Sequence, residues 1–243
     1  MTYLFKSIPC VYVCCQVQLP MGYNSPFSYT APEKEHSALI TVDVQRDFVL
    51  PGSPWQIAGT LQVIPAIQKL VCFYRDQALP IIHVVRLYLS DGSNADLCRR
   101  HLIEKGKWIV TPGSDGAELM DELKPSASVR LNPNRLLAGE LQVIGSHEWI
   151  LYKPRWGAFY ATSLQEQLRS LGVTTIVVSG CNFPNCPRTT LYEASERNFR
   201  VVLVKDAVSG CYDRGLEELQ NIGTTLVTTL EWIGGSSKKC GIK

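Results

Sequence analysis

The sequence predicts a three-layer α/β fold, in which helices cover both faces of a central and mainly parallel sheet. Short β-branched segments alternate with amphipathic helical segments along the chain, which is typical of such a sheet. Several strand candidates are apolar at nearly every position, as strands buried on both faces are. The length of 243 residues, with 45% hydrophobic and 19% charged residues, fits one globular α/β domain without an internal repeat.

The first half of the domain opens with a β-branched run that ends in a carboxylate, Asp43. Apolar residues then recur at helical spacing, and the segment LPIIHVV follows as a second strand. A polar excursion over 90–115 leaves the sheet. The elements predicted here are a strand at 38–43, a helix at 60–78, a strand at 79–85, a polar helix near 95–105 and a short helix at 116–123.

The second half continues the alternation of strands and helices. Thr162 and Gln165 have the spacing of a capping box, Gly172 can end that helix, and Pro187 can begin the next one. We expect a Rossmann-like sheet of six strands in the order 3-2-1-4-5-6. The predicted elements are strands at 148–153, 175–179, 201–204 and 225–228, with helices from 162, from 187 to about 197, and at 213–222.

Residues 1–36 are predicted to be an N-terminal extension of a domain at 37–243. The first nineteen residues are mildly apolar but lack a small-residue cleavage pattern, so we favour a poorly ordered extension or a packing arm over a secretory signal. Lys plus Arg number 24 and Asp plus Glu 22, and this balance gives no reason to expect nucleic acid or an acidic membrane as a partner. No apolar run could span a bilayer, and we expect a cytoplasmic protein.

Nine cysteines, an odd number without a CxxC pair, argue against a disulfide framework and against structural zinc. Chemistry in a parallel sheet is expected beyond the carboxyl ends of the strands, and Asp43, Lys153 and Cys186 stand at such ends. Cys186 lies just before a predicted helix, whose N–H groups could lower a thiol pKa and bind an oxyanion. A buried structural cysteine explains this local sequence equally well.

Three sequence motifs favour a reactive Cys186 over a structural one. Residues 42–48 (VDVQRDF) look like the DxQxDF of the isochorismatase-like cysteine hydrolase superfamily, which includes nicotinamidases. Residues 153–159 (KPRWGAF) look like its KxxxSAF, with Gly157 in the small position. Residues 180–194 are similar to its GxxTxxCVxxTAxxA stretch. In this order, and at these strand ends, they make residues 37–229 resemble the amidohydrolase branch of that superfamily.

The resemblance implies a role for each residue. Cys186 would be the nucleophile, Asp43 the general base and later the acid, and Lys153 a cation that polarises the thiol. A cis peptide bond would join Cys181 to Asn182, and the backbone N–H groups of Asn182 and Cys186 would bind the oxyanion. The resemblance implies no cofactor.

Departures from the family pattern narrow the substrate. Nicotinamidases carry an Asp-x-His and further histidines that hold a metal, whereas the matching stretch here is 85–92 (VRLYLSDG) and the four histidines do not cluster by spacing. We therefore expect neither nicotinamidase activity nor a metal site, and we place His83 in the core. Candidates for substrate contact, weighed against packing roles and led by Arg86, are Gln45, Phe48, Arg86, Trp156, Phe159 and Phe183.

Two functions follow from these expectations. The first is hydrolysis of a C–N bond in a small amide, ureido or carbamoyl, or lactam-type substrate, through a thioester acyl-enzyme. The second is a catalytically silent domain with a redox or interaction role, in which Cys181 and Cys186 form a thiol pair. Relatives of this type usually associate, so we expect a homo-oligomer, a dimer or tetramer. The segment 126–146 is expected either to cover the site or to build an oligomer contact.

Overall fold

A computed structural model describes residues 29–53 and 55–234 of the chain, so most of the predicted N-terminal extension lies outside the described residues. A seven-stranded sheet with the order β3-β4-β2-β1-β5-β6-β7 forms the centre of the fold. Every neighbouring pair is parallel except β3 with β4. The strands are β1 (Ser37–Val42), β2 (Ile81–Val85), β3 (Gln142–Gly145), β4 (Glu148–Tyr152), β5 (Thr175–Gly180), β6 (Arg200–Val208) and β7 (Thr225–Val227).

The expected three-layer fold and strand order are confirmed, and the structure adds one strand. Without β3 the order is that of the six predicted strands. The additional strand pairs antiparallel with β4 at the edge of the sheet. Its four residues are only partly buried or exposed, so it lacks the continuous apolar run that marked the others. The segment 126–146 therefore contributes a sheet edge.

The helices cover the sheet largely where the sequence predicts them. The predicted short helix at 116–123 is wrong, because the chain forms two 3₁₀ turns there, at Asp115–Ala117 and Asp121–Leu123. No helix in the described ranges has the length and apolarity needed to cross a membrane. The helices are α1 (Arg46–Val49), α2 (Thr60–Asp76), α3 (Leu97–Glu104), α4 (Pro133–Leu137), α5 (Leu164–Ser170), α6 (Cys186–Glu196), α7 (Asp213–Asn221) and α8 (Thr229–Ile233).

Successive residues of the central strand β1 serve two different cores. All six residues of β1 are buried, as expected of a parallel strand covered on both faces. Ile40 belongs to a cluster with Leu168 of α5 and Leu191 of α6, whereas Leu39 belongs to a cluster with Ile67 of α2. A third cluster lies among the connections that follow β1 and β2. These layers hold the carboxyl ends of the strands in fixed positions.

Candidate active site

Three buried side chains meet at the carboxyl edge of the sheet. The Lys153 Nζ atom lies 2.9 Å from Asp43 Oδ2 and 3.2 Å from Cys186 Sγ. Asp43 directly follows β1 and Lys153 directly follows β4, while Cys186 is the first residue of α6. Backbone hydrogen bonds from Asp43 N to Val84 O (2.9 Å) and from Lys153 N to Val85 O (3.0 Å) tie both to β2 between them. The structure thus brings together the three residues that the sequence singled out.

The connection from β5 to α6 depends on a glycine. Gly180 has a φ of +120°, and a Cβ atom there would lie 2.2 Å from Val42 O. Only glycine allows so close an approach between β5 and β1 without a clash. The next residue donates its backbone N–H to the same oxygen, and the Cys181–Asn182 peptide bond is cis, as the resemblance implies.

The loop before α6 leaves two backbone donors unpaired. The N–H of Phe183 donates to Ser209 O (2.7 Å) and that of Asn185 to Asn182 O (3.1 Å). For the N–H groups of Asn182 and Cys186, the structure records no acceptor within the described residues. Cys186 stands in the first turn of α6, where N–H groups stay free because no preceding carbonyl reaches them, whereas Asn182 lies in the loop before that turn. Donors of this kind can stabilise the negative oxygen that forms when a thiolate attacks a carbonyl.

The Cys186 thiol is held in its neutral form. Burial raises its pKa to about 11, and the negative charge of Asp43 adds to this rise, whereas Lys153 and Arg86 lower the pKa. The thiol pKa is therefore raised, not lowered as expected from the start of the helix, because the loss of solvation outweighs the effects of Lys153 and Arg86. Asp43 Oδ1 is buried and has no hydrogen-bond partner among the described residues. A carboxylate oxygen is thus available to accept the thiol proton.

Two of the six candidates for substrate contact pack against each other close to these residues. Arg86 directly follows β2 and is fully buried, and its charge acts on the Cys186 thiol. The centre of its guanidinium group lies 5.7 Å from the centroid of the Trp156 ring and 5.2 Å from that of Tyr88. Trp156 lies in the same connection as Lys153. Substrate contact stays a prediction for both residues.

The sequence did not single out Asp96, which lies just before α3. Its buried carboxylate lies 3.2 Å from the Arg86 Nη2 atom through Oδ2, and the Tyr88 hydroxyl donates a hydrogen bond to the same oxygen at 2.8 Å. A buried arginine requires a counter-charge, and this requirement is the one argument from the sequence that points to a nearby carboxylate. Asp91 and Asp96 both follow Arg86 closely, so the sequence does not say which of them pairs with it. In the structure Asp96 is buried and Asp91 is exposed.

The side chain of the candidate Gln45 forms its hydrogen bonds with backbone groups. Its Nε2 atom donates to Arg86 O (2.8 Å) and to Ala117 O (2.7 Å), and its Oε1 atom accepts from Arg86 N (2.8 Å). Phe48 is buried in the third apolar cluster, among residues that include Val85 and Tyr88. Each one braces the connections after β1 and β2, and substrate contact stays a prediction for both.

The two remaining aromatic candidates make packing contacts with other rings. Phe183 is fully buried, and its ring meets that of Tyr212 edge-on at 5.4 Å. The ring of Phe159 lies 5.9 Å from that of Phe199, a residue just after the end of α6. Cys186 stands at the opposite end of the same helix. Eleven helical residues span about 16 Å at about 1.5 Å each, so Phe159 packs at the far end of the helix. These contacts give both rings a packing role, and substrate contact stays a prediction for Phe183 and Phe159.

The residues after β2 do not suit a metal. The stretch where nicotinamidases carry a metal-binding Asp-x-His, residues 85–92 here, has no histidine and includes the buried Arg86, whose guanidinium group has no lone pair to offer a cation. Within the ranges that the structure covers, no three His, Cys, Asp or Glu residues are grouped to hold a metal. His83 is a core residue, as expected, and it bonds Thr41 Oγ1 and Glu148 Oε1, both at 2.8 Å.

Comparison with known proteins agrees with this geometry. Residues 37–231 match the Isochorismatase domain. A probable inactive nicotinamidase of Arabidopsis thaliana is 28% identical over 203 residues, which cover 81% of this chain and 94% of that protein. A maleamate amidohydrolase of Pseudomonas putida is 26% identical over 173 residues, 70% and 71% of the respective chains. The crystal structure of an isochorismatase family protein from Desulfovibrio vulgaris is 31% identical, with a TM-score of 0.69 over 83% of this chain and 99% of that one. The chain belongs to the isochorismatase family, as its three motifs indicated.

Proposed function

We propose that this protein is a cysteine-dependent hydrolase that cleaves a C–N bond in a small amide, ureido or carbamoyl, or lactam-type substrate. One observation carries the proposal: Lys153 Nζ lies within 3.2 Å of both Cys186 Sγ and Asp43 Oδ2, in a buried site. A nucleophile, a base and a cation in contact are the parts that acyl transfer through a thioester needs. The similarity to a maleamate amidohydrolase supports C–N hydrolysis in general.

The proposed reaction begins with proton transfer inside the site. Asp43 takes the proton of the Cys186 thiol, while Lys153 stays cationic and offsets the negative charge that remains. The thiolate attacks the carbonyl carbon, and the N–H groups of Asn182 and Cys186 bind the oxygen as it becomes negative. Asp43 then returns the proton to the leaving nitrogen, which leaves a thioester. Asp43 next removes a proton from water, which hydrolyses the thioester and frees the thiol.

A catalytically silent domain is the second candidate. The Arabidopsis relative is named a probable inactive nicotinamidase. A thiol pair made of Cys181 and Cys186 would need an accessible thiolate. Cys181 is buried and donates to Asp43 O at 3.0 Å, and burial raises its pKa well above the ordinary value. These contacts favour the hydrolase over the redox role.

A screen for ammonia release over amides, ureides and lactams tests the proposal. Once a substrate is found, we expect Cys186→Ala and Asp43→Asn each to lower kcat by about a thousandfold or more, because members of a catalytic unit fail together. Rapid quenching and mass spectrometry of the wild type should show an acyl adduct on Cys186. Cys98→Ala, which removes an exposed thiol, is the matched control and should keep full activity. Near-normal turnover by Cys186→Ala would show the assignment to be wrong.

A further inference from the structure

Two buried charged side chains have unused hydrogen-bonding capacity: Arg86, whose charge acts on the proposed nucleophile, and Asp96, which is paired with Arg86. Arg86 is 1% exposed and Asp96 is 5% exposed. In the described part of the chain, three of their atoms have no hydrogen-bond partner: Arg86 Nη1, Arg86 Nη2 and Asp96 Oδ1. Arg86 Nη2 does lie at an ion-pair distance of 3.2 Å from Asp96 Oδ2. Buried polar groups are rarely left without partners, so these atoms suit a ligand.

The position of this pair connects it to the reacting groups. Arg86 follows β2, which lies between β1, with Asp43 at its end, and β4, with Lys153 at its end. The three side chains therefore leave the carboxyl edges of three adjacent strands. Trp156, from the connection that begins at Lys153, packs its ring 5.7 Å from the Arg86 guanidinium group. The pair thus lies at the same edge of the sheet as the reacting groups, and the charge of Arg86 acts on the Cys186 thiol.

The chemistry of the pair differs from that of a lone arginine. Arg86 offers N–H donors, and Asp96 offers one free acceptor, since the Tyr88 hydroxyl and Arg86 already engage its other oxygen. A carboxamide or ureido group has a carbonyl oxygen for the arginine and an N–H for the carboxylate. A substrate carboxylate would satisfy Arg86 alone and would place a like charge against Asp96. The pair therefore matches a neutral group.

We propose that Arg86 and Asp96 form a recognition subsite for a second, neutral amide-type group of the substrate, separate from the bond that Cys186 attacks. The inference rests on the proposed function, since it assigns a substrate class to the same site. That class consists of small compounds with two amide-type groups, such as diamides or ureido amides. Acid amides, which carry a carboxylate in place of the second group, are the disfavoured class.

Two compounds of nearly equal shape test the subsite in the wild-type protein. Succinamide and succinamate share the amide to be cleaved and differ only in the far group, which is a carboxamide or a carboxylate. We expect kcat/KM for ammonia release to favour succinamide by at least about tenfold, beyond the statistical advantage of its two equivalent amides. Equal rates, or a preference for succinamate, would overturn the subsite.

Substitution of the carboxylate shows whether Asp96 causes the preference. Asp96→Asn keeps the size of the side chain and removes its charge, so we expect the ratio of succinamide to succinamate to fall by about tenfold. Glu140→Gln is the matched control, because it neutralises a carboxylate in an exposed ion pair with Arg135, and it should leave the ratio unchanged. If Asp96→Asn also leaves the ratio unchanged, the pair is only a structural ion pair.

A binding measurement separates failure of the subsite from failure of the proposed function. Each compound is tested for protection of Cys186 against alkylation by iodoacetamide, which requires no turnover and no variant. Stronger protection by succinamide supports the subsite even if no ammonia is released. The absence of ammonia release would count against the hydrolase. Ammonia release without any preference would keep the hydrolase and overturn the subsite. Protection by neither compound would also overturn it.

Discussion

Burial and three neighbouring charges set the protonation of the Cys186 thiol. Burial and Asp43 raise its pKa, while Lys153 and Arg86 lower it. At rest the sulfur therefore carries its proton next to a carboxylate oxygen without a partner. A buried neutral thiol does not react with passing electrophiles as readily as a free thiolate does. The nucleophile would form only as Asp43 accepts the proton.

Substitutions of the two charged partners should shift the Cys186 pKa in opposite directions. Asp43→Asn removes a charge that raises the pKa, so we expect it to fall below about 11. Lys153→Met removes a charge that lowers the pKa, so we expect it to rise. At a fixed, mildly alkaline pH, Asp43→Asn should then be alkylated by iodoacetamide faster than the wild type, and Lys153→Met more slowly. Shifts in the same direction would contradict this account of the site.

The site could be predicted from the sequence where its residues follow strands or begin a helix. Asp43 and Lys153 lie directly after buried strands, whose carboxyl ends must meet at one edge of a parallel sheet. Asp96 lies in an irregular excursion whose path no periodic pattern specifies. Phe183 lies in a loop, and sequence alone does not say which way its ring points. The direction of the Cys186 pKa shift depends on burial, which the local sequence does not show.

At the scale of elements, Glu148 at the start of β4 connects that strand to α2 and β2. Its Oε2 atom accepts from Arg75 Nε of α2 at 2.8 Å, and its Oε1 atom bonds His83 Nε2 of β2 at 2.8 Å. Burial alone would raise the pKa of Glu148, but hydrogen bonds from Arg75 and His83, together with their charges, lower it from 4.5 to about 2. The carboxylate is therefore more stable in the folded protein than in the unfolded chain.

Glu148→Gln should therefore cost stability in a pH-dependent manner. Because folding lowers the pKa of Glu148, its carboxylate stabilises the folded protein fully at pH values above the unfolded pKa of 4.5. This stabilisation is lost as the pH falls through the folded pKa of about 2. The shift corresponds to about 3 kcal/mol at neutral pH. Urea titrations at several pH values should show the difference between wild type and variant shrinking below pH 4.5. A difference that stays constant over that range would contradict the linkage.

Elements with a strong periodic signal could be predicted, and weakly marked ones could not. The helix predicted at 60–78 is observed at Thr60–Asp76, because its apolar spacing is long and regular. The expected capping box of Thr162 and Gln165 is wrong: the Thr162 hydroxyl donates to Ala158 O at 2.6 Å, and the helix begins two residues later. The same hydroxyl accepts from Leu164 N at 3.3 Å, so it does satisfy a donor at the start of the helix, but not in the predicted pairing with Gln165.

At the scale of the whole molecule, the two main cores share the same strands. Adjacent residues of β1, Leu39 and Ile40, belong to clusters on opposite faces of the sheet. The proposed site lies at the edge of these strands, with Cys186 a member of the first cluster. Loss of either core would leave one face of every central strand exposed to water. The described domain should therefore lose both cores and the site together.

Two core substitutions, one on each face of the sheet, test this coupling. Leu70 of α2 and Leu168 of α5 are fully buried in different clusters, and each change to alanine should cost about 2–5 kcal/mol. In urea, we expect tryptophan fluorescence, far-ultraviolet circular dichroism and alkylation of Cys186 to report one coincident transition for both variants. Because the strands are shared, Leu70→Ala should lower the midpoint of Cys186 exposure although Leu70 lies on the other face. If Leu70→Ala left that midpoint unchanged while the fluorescence midpoint moved, the two faces would unfold separately, and the site would depend on the α5–α6 face alone.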